Sequence, residues 1–496
     1  MTTTINASSY EKIYVGGEWV SSSGRDRIEV VSPWTEEVIA SVPSATVMDV
    51  DRAVAAARCA FDAGEWRRTG LGDRLSFLRR VGSEILKRRK ELATLTTHES
   101  GCPITQADSS QIASALALTE AYIAVAETYP FTSRRTSSTG AALVVREPVG
   151  VVAGVVPWNI PLTACLQKVL PALITGCTVV LKAAPQTPLS AFALTEMFAE
   201  AGLPPGVLNL IPAEPSVSEY LVGHPDVDKV GFTGSTGVGR RIASICGPNM
   251  KRMTLELGGK SAALISDDAD LDHAVESLRM GSLRNSGQIC SLKTRILVSE
   301  RRHDELVERL VAMVRTMRVD DPYDDETQIG PLVTASQRDR VNGYISLGQS
   351  EGAIPLKAAG NSIPGHGWFV EPTIFTGVTA EMRIAQEEIF GPVLAIMKYR
   401  NEDDAVALAN ESPFGLNGAI FTNDLERGLD LGTRIRTGTI EINGCTAGFH
   451  APAGGVKQSG IGREVGPEGL DSYCEPKAYG ISTDLLKVAD DHFARP

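Results

Sequence analysis

No long apolar run, no basic block and no metal-binding spacing occur in this sequence. The most apolar stretches, 148–156 and 169–181, are too short and too broken by Gly and Pro to span a bilayer. Lys and Arg number 48 against 60 Asp and Glu, a net charge of -12. That balance argues against nucleic acid as a partner. The first twenty residues lack a basic segment followed by an apolar one, so no secretory signal is expected there. The eight cysteines are scattered, with no CxxC pair. Reduced thiols and a cytoplasmic location are the expectation. The seven histidines form no HxxxH, so no catalytic metal is expected. GxGxxG is also absent, so the ordinary dinucleotide fingerprint does not apply.

What is present is a long chain of ordinary globular composition. Its 496 residues exceed what one core usually serves, so two or more domains are expected. Residues 13–20 read as a hairpin turning at Gly16-Gly17. Amphipathic helical stretches follow at 47–63 and 74–95, with an Ala- and Leu-rich one at 109–128. The polar stretch 129–140 reads as a linker or as an excursion toward another subunit. From 149 the rhythm changes. Short apolar runs at 150–156, 177–181, 207–211 and 229–232 alternate with helical stretches such as 190–201. This alternation predicts a parallel sheet covered on both faces, with ligands at the carboxyl ends of its strands. A second alternating region begins near 261. It has strand-like runs at 262–265, 294–298, 393–398 and 417–421 and helices at 303–317, 337–351 and 403–409. Residues 485–496 read as a loose tail.

Cys290, in Asn285-Ser286-Gly287-Gln288-Ile289-Cys290, and Glu256, in Leu255-Glu256-Leu257-Gly258-Gly259-Lys260, are the candidates for chemistry. A thiol and a carboxylate base are the minimum parts for forming a thioester and then hydrolysing it. Singly, each has an ordinary alternative, a small core residue or a surface carboxylate. Gly234-Ser235-Thr236-Gly237-Val238-Gly239 follows a strand and precedes a helix. It is either a phosphate-binding helix start or a tight turn. Arg240-Arg241 stand where a P-loop needs Lys and Ser or Thr, which excludes a nucleoside triphosphatase. Asn159, in Pro157-Trp158-Asn159-Ile160-Pro161, sits where an amide could hold an oxyanion or merely make local turn bonds. Lys182 ends the next strand, to hold a ribose or phosphate or simply as a solvated charge.

In order along nearly the whole chain stand VPWNIP (156–161), LKAAPQTPL (181–189), AGLPPGVLNLIP (201–212), FTGSTGVG (232–239), LELGGK (255–260), GQIC (287–290), EEIFGPV (387–393) and KQSGIGRE (457–464). Together they resemble the aldehyde dehydrogenase superfamily. The resemblance implies an α/β architecture: a Rossmann-like parallel-sheet cofactor domain (1–126 and 146–257), a second α/β catalytic domain (258–458) and a small β oligomerisation arm (127–145 and 472–484). The arm would pair with a neighbour to give a homodimer or homotetramer. Residues 136–145 also read as a possible edge ribbon, which a monomer would leave exposed.

The resemblance also implies roles. Cys290 would attack an aldehyde, and Asn159 with the Cys290 N–H would hold the oxyanion. Hydride would pass to NAD(P)+, leaving a thioester. Glu256 would activate water to release the acid, with Lys168 relaying protons. Val156, Pro157, Trp158, Lys182, Ala184, Pro185, Phe232, Gly234, Ser235, Val238, Leu257, Gly258, Glu388 and Phe390 would bind the cofactor. Alternatives are a CoA-acylating enzyme, in which a thiol replaces water, and a retired enzyme serving as a binding or structural protein.

The sequence departs from the family pattern in two places. Pro185 stands where the family often has a Glu for the adenosine ribose, the 212–218 loop lacks the usual glycines, and Gly237 replaces a frequent Glu. Glu214 is a candidate substitute carboxylate, so NAD is expected, with NADP as the alternative. Near the thiol, Ala164, Gln167 and Ala453 replace bulkier family residues and, with Ile289 and Ser291, would line the substrate pocket. The room they leave suggests a bulky apolar aldehyde, aromatic or terpenoid. Neutral repacking is the alternative.

Overall fold

Period-two burial organises both halves of the chain. In strand Val151–Val155, Val151, Ala153 and Val155 join one apolar cluster, while Val152 joins the other. In strand Ser261–Ile265, Ala263 and Ile265 face one cluster and Ala262 and Leu264 the opposite one. Each strand is therefore buried on both sides, as a helix-covered parallel sheet requires. The computed structural model describes residues 9–138, 140–357 and 362–493. Residues 1–8 of the expected cofactor domain, 139 of the arm, 358–361 of the catalytic domain and 494–496 of the tail lie outside them.

The first sheet holds five parallel strands in the spatial order Leu208–Pro212, Thr178–Ala183, Val151–Val155, Lys229–Thr233, Arg252–Glu256. Chain order reverses between Val151–Val155 and Lys229–Thr233. Such a switch point opens a crevice at the carboxyl ends. The hairpin Ile13–Val15 and Glu18–Val20 extends one edge, and the short strand Gly460–Ile461 closes the other. The second sheet runs Ile354–Lys357, Thr373–Thr376, Val393–Tyr399, Lys293–Ser299, Ser261–Ile265, Asn417–Phe421, Thr439–Ile442. All its neighbours are parallel except the first pair.

A third sheet pairs Thr132–Ser137, Gly140–Pro148 and Cys474–Ile481 in antiparallel register. The polar stretch 129–140 thus contains a strand. The ribbon continues past 145, because Pro148 pairs with Cys474. The helical stretch 74–95 is two helices, Leu71–Lys87 and Arg89–Ser100, broken at Arg88. Four consecutive cations, 87–90, meet at that break. The stretch expected as a loose tail instead forms the helix Leu486–Phe493. Leu486 and Ala489, one turn apart, are half-buried, a stripe too short to stand out in a polar segment. Among the described residues, no helix is long and apolar enough to cross a membrane.

Helix Pro161–Thr175 packs between the first sheet and the outer helices, and every residue in it except Gln167 is buried. Pro161 at its first turn suits the fixed φ of proline. Nearby, Glu99 ties one helix to another. It is fully buried at the end of Arg89–Ser100 and accepts the N–H groups of Leu189 (2.8 Å) and Ser190 (3.1 Å) at the start of Leu189–Glu200. Burial raises its carboxyl to about 7, against these donors. Glu99→Ala leaves both N–H groups buried without partners, at roughly 1–3 kcal/mol each. Denaturant unfolding should show a lower midpoint; an unchanged midpoint contradicts this anchoring.

Candidate active site

Three consecutive left-handed residues precede the thiol: Asn285 (φ 52°), Ser286 (φ 57°) and Gly287 (φ 81°). Non-glycine residues hold such conformations only when their surroundings fix them. Here they do. The Asn285 N–H donates to Gln106 Oε1 at 2.8 Å. Ser286 Oγ donates to the Gly330 carbonyl at 2.8 Å. Gln288 Oε1 accepts the Val333 N–H at 3.1 Å. A Cβ on Gly287 would lie 2.1 Å from the Gly391 carbonyl, so only glycine fits. The loop thereby sets Cys290 at the mouth of strand Lys293–Ser299.

Asn159 follows strand Val151–Val155 and meets this loop. Its Nδ2 donates to the Gln288 carbonyl at 2.7 Å, and Asn285 Nδ2 donates to the Asn159 carbonyl at 3.0 Å. One Asn159 N–H remains for a ligand. Glu256 ends strand Arg252–Glu256. Its Oε1 is buried without a hydrogen-bond partner. A Cβ on Gly454 (φ 144°) would come within 2.6 Å of that oxygen, so glycine keeps the space open. Lys168 is fully buried; its Nζ donates to Thr233 Oγ1 at 2.7 Å and pairs with Glu464.

Burial and neighbouring carboxylates disfavour the charged form of both groups. Burial, then the charge of Glu464, pushes the Glu256 carboxyl well above the usual range, while Lys168 and Arg463 oppose it. Burial, then Glu388 and Glu256, pushes the Cys290 thiol up to about 12. Both shifts belong to a site with little water.

Two cavities meet here, sharing Thr233, Glu256 and Cys290. One, of about 220 Å³, lies at the switch point of the first sheet. Of the expected cofactor residues, Pro157, Trp158, Gly234, Ser235, Leu257, Gly258, Glu388 and Phe390 line it. Ser235 caps helix Thr236–Cys246 by accepting the Val238 N–H. Glu388 accepts the Gly259 N–H at 3.0 Å, and burial raises its carboxyl to about 6. Trp158 and Phe390 meet edge to face, with ring centres 5.4 Å apart. Sequence reasoning missed Arg340 and Gln337 in this lining, which hold the carbonyls of Glu388 (2.7 Å) and Phe390 (2.9 Å).

Val156, Lys182, Ala184, Phe232 and Val238 do not line this cavity. Phe232 lies beneath Gly234, where its ring would meet a Cβ at 2.5 Å. Val238 is half exposed on the outside of its helix. Val156, Lys182 and Ala184 are buried at and beyond the strand ends. Burial lowers Lys182 to about 8 against the charge of Glu214. Glu214 and Pro185 share a separate, wider cleft.

The other cavity, about 240 Å³, lies on the opposite side of Cys290. Gln167, Ile289, Ser291 and Ala453 line it, as expected. Ala164 does not. Its methyl is fully buried in the helix core, and Ile160 and Thr163 take the wall instead. Sequence reasoning also missed Gln106, Ser110, Gln111 and Ser114. They stand on or beside a π-helical segment, Ala107–Ile112, a distortion frequent at functional sites. Glu464 was legible as the last residue of the KQSGIGRE segment, though no role was drawn for it. Among the described residues, no group of three or more His, Cys, Asp or Glu could hold a metal ion.

The thiol's environment gives a direct test. Alkylation of Cys290 in the cofactor-free protein should rise about tenfold per pH unit from neutral to mildly alkaline pH, without levelling. Peptide mass mapping follows it; a plateau near neutrality contradicts the raised thiol.

Residues 19–479 match the model of the aldehyde dehydrogenase family. The chain is 43% identical over 465 residues to a geranial dehydrogenase of Castellaniella defragrans, covering 94% of this chain and 97% of that one. It is 41% identical to a 3-succinoylsemialdehyde-pyridine dehydrogenase of Pseudomonas, covering 95% and 98%. A crystal structure of a Mycobacterium tuberculosis aldehyde dehydrogenase complexed with NAD+ superposes with a TM-score of 0.94 at 42% identity, covering 96% and 99%. Family model, relatives and fold agree: the chain belongs to the aldehyde dehydrogenase family.

Proposed function

We propose that this chain oxidises a bulky aldehyde to its carboxylic acid with NAD+. The observation that carries the reading is the meeting of two cavities at Cys290 and Glu256. The switch-point cavity fits a nicotinamide dinucleotide. A buried carboxylate, Glu388, suits a ribose hydroxyl. The capped start of helix Thr236–Cys246 suits a phosphate. Trp158, Leu257 and Phe390 supply flat apolar walls. Lys182 and Glu214 stand together at the far end, which supports NAD over NADP because a carboxylate there repels a 2′-phosphate.

Cys290 Sγ adds to the aldehyde carbon as its proton passes to Glu256. The carbonyl oxygen becomes an oxyanion, held by the Cys290 N–H and the spare N–H of Asn159. When bound, the cofactor supplies the acceptor for the aldehyde hydride, which leaves a Cys290 thioester. Glu256 first gives up that proton through Lys168 and Glu464; it then takes a proton from water, the water oxygen adds to the thioester carbon, and the C–S bond breaks. The acid leaves and Cys290 regains its proton. Lys168 and Glu464 lie beside Glu256 and carry its protons outward. Burial without a partner keeps Glu256 basic enough to work on water. That supports water rather than CoA as acyl acceptor, and an active rather than a retired site.

The relative named for geranial supports a terpenoid substrate, and the relative named for a pyridine supports an aromatic one. The small Ala453 and slender Gln167 at the cavity wall agree with either. The outer strands of the third sheet, Thr132–Ser137 and Cys474–Ile481, support assembly into a dimer or tetramer by strand addition. We assign the first sheet with its helices as cofactor domain, the second as catalytic domain and the third as arm.

Two experiments test the reading. A panel from acetaldehyde to branched and aromatic aldehydes, run with each cofactor, should give the highest kcat/KM for a bulky aldehyde with NAD+. Best turnover on acetaldehyde, or a clear NADP+ preference, contradicts the substrate or cofactor assignment. Glu256→Gln should lower kcat by about 100-fold or more. It should also remove the rise of kcat with pH that ionisation of Glu256 produces. A variant that keeps that rise contradicts Glu256 as the base.

A further inference from the structure

Asn159 can serve an oxyanion only if its amide is aimed, and a closed ring of hydrogen bonds aims it. Asn159 Nδ2 donates to the Gln288 carbonyl at 2.7 Å. The Gln288 N–H and Nε2 both donate to the Asn285 carbonyl, at 3.0 and 3.1 Å. Asn285 Nδ2 closes the ring on the Asn159 carbonyl at 3.0 Å. All three residues are buried. A ring of this kind holds its members to one another but needs an anchor outside it.

Gln106 supplies that anchor. Its Oε1 accepts the Asn285 N–H at 2.8 Å, and its Nε2 donates to the Gln328 carbonyl at 2.6 Å, in strand Thr327–Ile329. Gln106 is buried and ends the short helix Ile104–Gln106. That helix is itself tied down, because the Ile104 N–H donates to the Pro322 carbonyl at 2.8 Å. Asn285 is the first of the three left-handed residues before the thiol. Such backbone persists only where its surroundings over-determine it. A buried N–H left without an acceptor is costly enough to turn the backbone toward another one. Gln106 also lines the substrate cavity, so a role as plain wall is the alternative. Its amide, however, is committed at both ends, to Asn285 and to Gln328, rather than offered to the cavity.

We propose that Gln106 is a positioning residue for the oxyanion hole, acting through Asn285 and Asn159 and touching no reacting atom. This rests on the aldehyde-oxidising reading above. Without the Gln106 acceptor, the Asn285 N–H turns away and the ring shifts with it. The spare Asn159 N–H then no longer meets the oxygen of the bound aldehyde. The loss falls on the transition state rather than on binding, because the amide is needed where negative charge develops. It therefore appears with every aldehyde, however small.

Gln106→Leu keeps the bulk and removes both hydrogen bonds. It should lower kcat about 30-fold on acetaldehyde and on a long alkanal alike, less than outright loss of an oxyanion donor, and leave the KM for NAD+ unmoved. A loss confined to the KM of long alkanals makes Gln106 a cavity wall alone and overturns the proposal. Combined with Asn159→Ala, Gln106→Leu should be no slower than Asn159→Ala by itself, because the two act through one amide. Losses that multiply overturn it. Gln106→Glu serves as the rescue, and as the test where the leucine variant does not fold. Its carboxyl, when protonated, presents an O–H to the Gln328 carbonyl and a C=O to the Asn285 N–H. Its kcat should match that of wild type at mildly acidic pH; a low kcat there overturns the proposal. Acylation by p-nitrophenyl acetate separates this role from the oxidation reading. There the Cys290 thiol adds to the ester carbonyl, its proton passes to Glu256 and p-nitrophenolate leaves, with no hydride transferred. Gln106→Leu should slow that burst about 30-fold as well; an unchanged burst overturns the proposal. If wild type oxidises no aldehyde while the ester burst still slows in Gln106→Leu, the oxidation reading fails and the positioning role stands.

Discussion

Burying a thiol beside a carboxylate is the constraint on which this site depends. Either group alone would ionise in water at accessible pH. Together, in a place with little water, each opposes the other's charge. Burial and Glu388 raise Cys290, and Glu256 adds to the effect. Burial and Glu464 raise Glu256. In the proposed mechanism a proton passes from Cys290 to Glu256, between two groups whose charged forms their surroundings both disfavour. Lys168 pairs with Glu464 beside Glu256, the route proposed for that proton. The fold serves this pair. Strand Arg252–Glu256 of the first sheet ends at Glu256, strand Lys293–Ser299 of the second begins just after Cys290, and the strained loop between Asn285 and Gly287 fixes the approach.

Much of this was legible in the sequence. Alternating apolar runs gave the order and type of most strands, because a helix-covered parallel strand leaves a short, dense apolar signature. Strand Asn417–Phe421 and helix Val47–Ala63 begin and end where the pattern places them. Cys290, Glu256 and Asn159 stood out through their motifs, and the structure brings them to one place. Legibility failed where local pattern is weak or long-range contact decides. The 486–493 helix carries only a short apolar stripe. The polar 129–140 stretch becomes strand because residues 140–148 and 474–481 complete its ribbon. Ala164 was placed on the cavity wall because the family pattern often has a bulkier residue at that position of the helix after Asn159. Its direction around the helix depends on packing that no single motif encodes.

The substrate side shows the same limit more sharply. Counting lost bulk at Gln167 and Ala453 suggested space, and a cavity lies there. Counting bulk says nothing about polarity. Ser110 and Gln111 on the π-helical segment and Gln106 beside it line that cavity, as does Arg284 from the loop before Cys290.

The central claim is that Cys290 carries the acyl group and Glu256 releases it. The most direct measurement acid-quenches the wild-type enzyme during turnover with a reactive aldehyde and NAD+, then maps the peptides by mass. The account predicts an added acyl group on the peptide containing Cys290 and on no other cysteine peptide. No acyl group anywhere, or one on the peptide of Cys102, would contradict it.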